Sequence, residues 1–433
     1  MKRLFLLGIC AALLFAAACN TNELDSIACG AVSRAQRNSS EGVKKVAAPV
    51  YPENEEEQEE TGGTMEFLTA LSGFSSKSAA VLLGGGQKNA VYSPVSLYMA
   101  LALSASGAAG DTLEELYSAM GLSLSSKSDV ADSVKALYKE LYGREEYGHL
   151  FLYNSLWLSS ENTFHQGFLN EAKDDYFAEV FTVDPSAAQK SDPISDWVSE
   201  KTGGKLEREP SELGEIVMNL VSVIDFYGEW TDRFPKEGNT TGDFTLSDGG
   251  KVAAEYMNRG STGGFYRGNG WTQAALSCKN GARMSFILPD EGKDINSLIA
   301  DADEVKKMLS PGDSAGVESL YGEITWSVPK FDFKCELGLV DMLKSLGVQS
   351  AFDSDADFSE TSDLKPLFIA DARQAARVAI DENGVSAAAY TELFYAGSGM
   401  PQDRAEMVLD RPFAFAIAYR GVTLFVGVVN NPS

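Results

Sequence analysis

Ile380 to Arg404 reads IDENGVSAAAYTELFYAGSGMPQDR, and the reading of this stretch decides the fold. It opens on two acids and a glycine, passes through three alanines, turns apolar and aromatic, and ends in Gly, Ser and Pro. Ala375–Ile380 before it reads as a strand, and Phe413–Ala418 and Val422–Val429 after it read as a closing pair. Ordinary connections run to about 4–6 residues, and those beyond about 12–15 are functional or disordered. A disordered linker is polar, whereas Ala387, Ala388, Ala389, Leu393, Phe394 and Tyr395 are not. The segment therefore has the composition of chain that can be buried elsewhere.

Upstream, Leu68–Leu83 has helical apolar spacing and stops at Gly84-Gly85-Gly86. Ala90–Tyr92 is a short strand, and Ser93-Pro94 opens a helix that is apolar or small on nearly every side. Asp111 to Glu115 starts the next helix, with acids at its positive end. Leu150–Leu158 alternates as a strand, Phe168–Phe177 and Ile194–Thr202 read as helices, and Ile216–Phe226 is apolar enough for a central strand. Trp230 follows in a turn-like setting. A short strand is expected at Phe265–Tyr266, a hairpin across Lys279-Asn280-Gly281, a period-two strand over Val328–Lys334, and a helix over Leu337–Leu346. Helices dominate early and strands late, without regular alternation. The class is α+β with a large, mostly antiparallel sheet.

The N-terminal end reads as an export signal over residues 1–18. Lys2 and Arg3 form its charged end, Leu4–Leu14 its apolar run, and Ala16–Ala18 the small residues before Cys19. The pattern resembles a bacterial lipobox, which implies lipidation of Cys19 and an exported protein anchored to the cell envelope, at the outer membrane or cell surface. A plain secretory signal cut at one of the alanines is the alternative. Residues 19–63, with an acidic run from Glu53 to Glu60, read as a flexible tether, and 64–433 as the folded body. Without Lys2 and Arg3 the chain has 34 basic against 62 acidic residues, a net charge of about −28. Such a charge repels nucleic acid and anionic lipid, so membrane contact is expected through the N-terminal lipid alone. Besides Cys19, the cysteines beyond the signal are Cys29, Cys278 and Cys335, widely spaced and without a disulfide framework.

Enzyme chemistry is disfavoured by subtraction. The two histidines, His149 and His165, precede the strand-rich half and read as surface or capping residues. There is no GxSxG elbow, P-loop, CxxC or HExxH, so no metal or cofactor is expected.

Taken in order, several segments resemble the serpins, a family of large serine and cysteine protease inhibitors. They are Asn89–Ser96, Gly107–Thr112, Trp197–Lys205, Phe226–Trp230, Val328–Phe331, Leu346–Val348 with Ala351-Phe352, Glu382–Ala389, Arg411–Phe413 and Phe425–Pro432. The resemblance spans about Phe67 to Pro432. It implies a serpin fold of about nine helices and three β-sheets, a monomeric body and an exposed reactive-centre loop near residues 384–404. A protease attacks that loop as a substrate, and the cleaved loop enters the central sheet as a new strand and distorts the acyl-enzyme. Strand periodicity would send Val385, Ala387, Ala389, Thr391, Leu393 and Tyr395 inward; none is charged, so no charge must be desolvated. About fourteen inserted residues would carry one end roughly 45 Å.

By the same resemblance, the hinge comprises Glu382, Gly384, Val385, Ser386, Ala387, Ala388 and Ala389, with Gly384 expected to supply backbone freedom. Family spacing from Gly384 puts the attacked bond at Ser398–Gly399; counting back from Phe413 puts it near Met400 or Pro401. Ser398 suits an elastase-like or subtilisin-like serine protease, and Phe394, Tyr395 and Met400 a chymotrypsin-like one; cysteine proteases stay open as targets. A non-inhibitory serpin acting as a surface binding lipoprotein is the alternative, since Val385 and Tyr390 depart from the usual smaller hinge residues. Ser93, Ser96, Ser222 and Gln374 match the shutter where the sheet opens, and Trp230 the breach above it. Ser222 and Gln374 replace an asparagine and a histidine, and a Ser–Gln hydrogen bond is expected in their place. Glutamine does not titrate, so loop-insertion rates should vary less between pH 5 and 7 than in histidine-bearing relatives. Rates measured across that range check this, and a large change traceable to the shutter would contradict it.

Overall fold

Among the residues that fold together, the apolar runs settle into two sheets with helices packed around them. The computed structural model describes residues 42–52, 65–122, 125–184, 192–206, 217–385 and 403–433. Strand β1 (Val43–Ala47) is followed by α1 (Met65–Leu83), β2 (Ala90–Tyr92), α2 (Pro94–Ser106), α3 (Gly110–Met120) and α4 (Lys127–Leu141). Next come β3 (Gly143–Glu145), β4 (Gly148–Ser159), α5 (Gln166–Asp174), β5 (Ala178–Val183), α6 (Pro193–Lys201) and β6 (Met218–Glu229). Then follow β7 (Thr240–Thr245), β8 (Lys251–Gly268), β9 (Trp271–Ser277), β10 (Arg283–Pro289), α7 (Ile295–Ile299) and α8 (Ala302–Leu309). The remainder is β11 (Glu318–Pro329), β12 (Phe331–Gly338), α9 (Val340–Ser345), β13 (Arg373–Ile380), β14 (Gly384–Val385), β15 (Asp403–Val408), β16 (Phe413–Tyr419) and β17 (Val422–Val429).

The first sheet has the order β1-β5-β4-β6-β14-β13-β12, with β3 on β4; the second runs β15-β11-β8-β9-β10-β16-β17-β2, with β7 on β8. Every ladder is antiparallel except β4–β5 and β11–β15, which are parallel. The α+β class and the large mostly antiparallel sheet are thus as expected. Among the described residues the ladders link into two continuous sheets, because β8 runs unbroken for 18 residues where only Phe265–Tyr266 was foreseen. The alternating run Val328–Lys334 is likewise the end of β11 and the start of β12, in different sheets, with Lys330 at the corner.

The inner face of the first sheet packs on the second, with Phe226 against Phe425 and Phe331 between Phe413 and Phe415. Helix α2 closes the same core; Ser93 caps it by accepting from the Ser96 N–H, and Pro94 occupies its first turn. The outer face carries α6, whose Trp197 meets Trp157 of β4 edge-on. Asp192 caps α6 through the Ser195 N–H, and the chain leaves it through Gly203 and Gly204 with φ of +58° and +80°, a left-handed turn that only glycine adopts freely.

The flexible tether expected over residues 19–63 is interrupted. Val43–Ala47 pairs with β5, Val43 opposite Val183 and Ala47 opposite Val180, and extends the first sheet at its far edge. The run is too short to signal a strand, but its anchors are strong. Tyr51 stacks on Tyr142 at 5.2 Å, and Lys45 reaches Glu179 at 3.0 Å. Glu179 also receives Lys201 at 2.9 Å and the Trp197 Nε1–H at 2.9 Å, so one carboxylate joins β1, β5 and α6. Burial pushes its pKa up, but Lys201 and the indole outweigh that and hold it below the usual carboxylate range. Its side chain is 4 % exposed and that of Lys201 13 %. Glu179→Ala would strand a buried ammonium and should cost about 3–5 kcal/mol. Urea unfolding measures this, and a loss below about 1 kcal/mol, the worth of a surface pair, would refute it.

Candidate functional site

At Ile380 the chain leaves β13, reverses, and returns as β14 between β13 and β6. Asp381 makes the reversal: its Oδ1 accepts from the N–H groups of Asn383 at 2.8 Å and Gly384 at 3.1 Å, an Asx turn. Val385 then pairs with Ile380 on one side and Gly228 on the other. Gly384 lies opposite Glu229, and a Cβ there would stand 2.1 Å from the Gly228 oxygen. Close approach therefore demands glycine here. The expected free backbone is not the reason, since the φ of Gly384 is not positive.

Trp230, 1 % exposed, holds the reversal from the β6 side. Its backbone N–H donates to the Asn383 carbonyl and its indole N–H to the Asp381 carbonyl, each at 2.8 Å. It is no turn residue; it continues β6 through a bridge to Cys278. The Cys278 thiol is fully buried; burial pushes its pKa well up, against the pull of a hydrogen bond from the Val385 backbone.

Glu382 is 6 % exposed and paired. Lys330 reaches its Oε1 at 2.7 Å, the Asn239 side-chain N–H donates to it at 2.6 Å, and its carbonyl accepts from the Phe234 N–H at 3.1 Å. Lys330 and Asn239 also serve Glu255, at 2.6 Å and 2.9 Å. Burial raises the Glu382 pKa, but the Lys330 and Asn239 hydrogen bonds outweigh it and leave the carboxyl at about 2, against an ordinary 4.5.

Sequence reasoning placed Glu382 and Trp230 in the site but missed Lys330, Asn239, Glu255, Asp381 and Cys278. Lys330 carried a signal, since it sits inside the quoted Val328–Phe331 segment; Asn239 and Glu255 carried none. Ser386, Ala387, Ala388 and Ala389, the bond candidates Ser398, Gly399, Met400 and Pro401, and Cys19 lie outside the described residues.

The four shutter residues meet, with partners exchanged. Gln374 binds the backbone of Ser93, accepting from its N–H at 2.6 Å and donating to its carbonyl at 3.1 Å. Ser222 instead exchanges a hydrogen bond with the Ser96 hydroxyl at 2.8 Å. The expected Ser222–Gln374 bond is replaced because glutamine is long enough to reach the start of α2. Between β6 and β13, below Val385, lies a groove lined by Ile224, Asp225 and Phe226, by Arg377 and Ala379, and by the α6 exit turn, with Phe425 at its floor.

His149 is neither a surface nor a capping residue. It lies in β4 with its side chain 13 % exposed, and its Nε2 is 3.0 Å from Asp225 Oδ2. His165 stands at the N-cap position of α5 without capping it, its Nδ1 3.2 Å from the Glu360 carbonyl. Among the described residues no cluster could hold a metal ion and no helix is long and apolar enough to cross a membrane.

The first sheet thus holds a short strand of its own chain, β14, between two central strands, β6 and β13. A model of the serpin family, described as serine protease inhibitor, matches residues 71–432, and the chain belongs to that family. It is 27 % identical over 369 residues to plasminogen activator inhibitor 1 of Neovison vison, covering 80 % of this chain and 88 % of that protein. It superposes on the native state of tengpin, a thermophilic serpin, with a TM-score of 0.74 at 27 % identity, covering 90 % of this chain and all of that one. Thyroxine-binding globulin in complex with thyroxine shares the fold, with a TM-score of 0.70 at 24 % identity over 84 % of this chain and 98 % of that one. Serpins are in general protease inhibitors, and some bind small molecules instead.

The folded-state pKa of Glu382 lies below its unfolded value. Its stabilisation is therefore complete above about pH 4.5 and is lost as pH falls towards about 2. The stability advantage of wild type over Glu382→Gln should shrink across that window. Urea unfolding of both proteins from pH 7 to 2.5 tests it, and a constant difference would contradict it.

Proposed function

We propose that this protein inhibits serine proteases as a suicide substrate, trapping the acyl-enzyme by drawing the cleaved loop into its first sheet. The observation that carries the reading is β14: Gly384 and Val385 already occupy the first rungs between β6 and β13, with a groove continuing below them. Extending that register by sequence arithmetic puts position 391 opposite Ser222 and Gln374, and position 388 opposite Asp225 and Arg377. Thr391 would then offer a hydroxyl to the shutter pair. Glu392, the one charge from Val385 to Tyr395, would face outward beside Arg373. Both suit insertion, because the inner face stays uncharged and the outer charge meets an opposite one.

The target class rests on Ser398 as the residue preceding the cut bond, which suits elastase-like or subtilisin-like proteases; Phe394, Tyr395 and Met400 extend it to chymotrypsin-like ones. The chain acts as a substrate analogue and not as an enzyme. We also propose that Cys19 carries lipid at the envelope, ahead of a body whose first described strand is β1. The alternative is a non-inhibitory binding protein of the cell surface, which thyroxine-binding globulin shows this fold can support.

Mixing with elastase, subtilisin and chymotrypsin should give a complex that survives boiling in detergent, and mass spectrometry of the released C-terminal peptide should identify Ser398–Gly399. Val385 is 1 % exposed, so Val385→Arg should block insertion and turn the inhibitor into a substrate. A variant that still forms the complex would refute insertion, and an intact protein that is only cleaved would favour the binding reading.

A further inference from the structure

The outer face of the groove holds three ionisable groups that the hinge, shutter and breach do not use. Asp225 projects from β6, and its two oxygens are divided between two elements. Oδ1 takes Lys205 Nζ at 2.8 Å, and Oδ2 lies 3.0 Å from His149 Nε2 on β4. The carboxylate is 14 % exposed, the imidazole 13 % and the ammonium 35 %. His149 is itself fixed by stacking on Phe151, with ring centroids 4.9 Å apart.

Lys205 does not belong to the sheet. It lies in the turn by which the chain leaves α6, a turn closed by the Thr202 hydroxyl, which donates to the Val198 carbonyl at 2.8 Å and accepts from the Leu206 N–H at 3.1 Å. Thr202, Lys205 and Leu206 roof the groove whose walls are Asp225 on β6 and Arg377 on β13. Arg377 turns away from the roof, donating to Asp332 on β12 at 2.8 Å and 2.6 Å. Among the described residues, the ion pair of the α6 exit turn therefore goes to one wall only. A strand needs about 4.7–4.9 Å on each side of its backbone, and it would pass beneath this roof.

We propose that Asp225 is a positioning residue for inhibition: with His149 behind it, it holds the Lys205 turn down over the groove and so sets how fast a strand can enter. Burial raises the Asp225 pKa, but His149 and Lys205 outweigh it and hold the group below the usual carboxylate range. The latch is thus charged at neutral pH. A charge-assisted hydrogen bond must stretch for the turn to lift, and the cost falls on the insertion step, not on cleavage of the loop. The inference rests on the insertion reading above.

The test uses the full-length protein, cut rapidly in the loop with excess chymotrypsin, quenched, and sampled over time for resistance to heat. Wild type should gain resistance as the loop enters. Asp225→Asn and Lys205→Met should gain it about ten- to a hundredfold faster, the worth of one charge-assisted hydrogen bond. The double variant should be no faster than either single one, because the two groups act as one contact. Lys205→Arg should restore the wild-type rate. Lys45→Ala, which loosens the same sheet at its far edge, controls for general destabilisation. Wild-type rates in both single variants, or an equal acceleration in Lys45→Ala, would overturn the latch alone. A wild-type protein that gains no resistance after cleavage would overturn the insertion reading and the latch with it.

Discussion

The structure depends on the ladder that Val385 makes with Ile380 on one side and Gly228 on the other. Backbone N–H and C=O groups inside a sheet need partners, and β14 supplies them to β6 and β13 over two residues. Among the described residues, β6 and β13 are joined in the sheet through β14, with the groove below it. A sheet in that condition is short of rungs, and a longer strand in the same register would complete it.

Much of the surrounding architecture holds that short strand in place without extending it. Trp230 takes both carbonyls of the reversal, and Glu382 is clamped by Lys330 and Asn239. The anchors fall on two faces with different chemistry. On the inner face, against the apolar second sheet, they are neutral: Gln374 on the Ser93 backbone, and Ser96 on Ser222. On the outer face, under α6, they are charged: Asp225 with Lys205 and His149, and Glu179 with Lys45 and Lys201. The division follows the cost of desolvation, since a charge is tolerated where water or a close counter-ion is at hand and not between packed sheets.

The N-terminal strand adds a brace outside the part of the chain matched by the family. Through Glu179, β1 shares a carboxylate with α6, the helix whose exit turn roofs the groove. The edge of β5 would otherwise present an unpaired row of backbone groups, and covering it removes a site for pairing with other chains.

Local chemistry along the chain was enough to determine the α+β class, the helix that starts at Ser93-Pro94 and the hairpin across Lys279–Gly281. Helix caps, turn glycines and strand periodicity act over a few residues, so they are written in neighbouring positions. Motif order grouped Glu382, Gly384, Val385 and Trp230, which the fold brings together, although it did not reveal the close approach at Gly384, since a backbone 2.1 Å from its missing Cβ belongs to another strand. Tertiary structure alone decided that Lys330 and Asn239 hold Glu382, that Gln374 bypasses Ser222 for Ser93, that Val43–Ala47 is a strand, and that His149 is half-buried against Asp225. Each of those contacts joins residues far apart in the chain, and a pairing made by the fold leaves no period or spacing in the sequence by which it could be read.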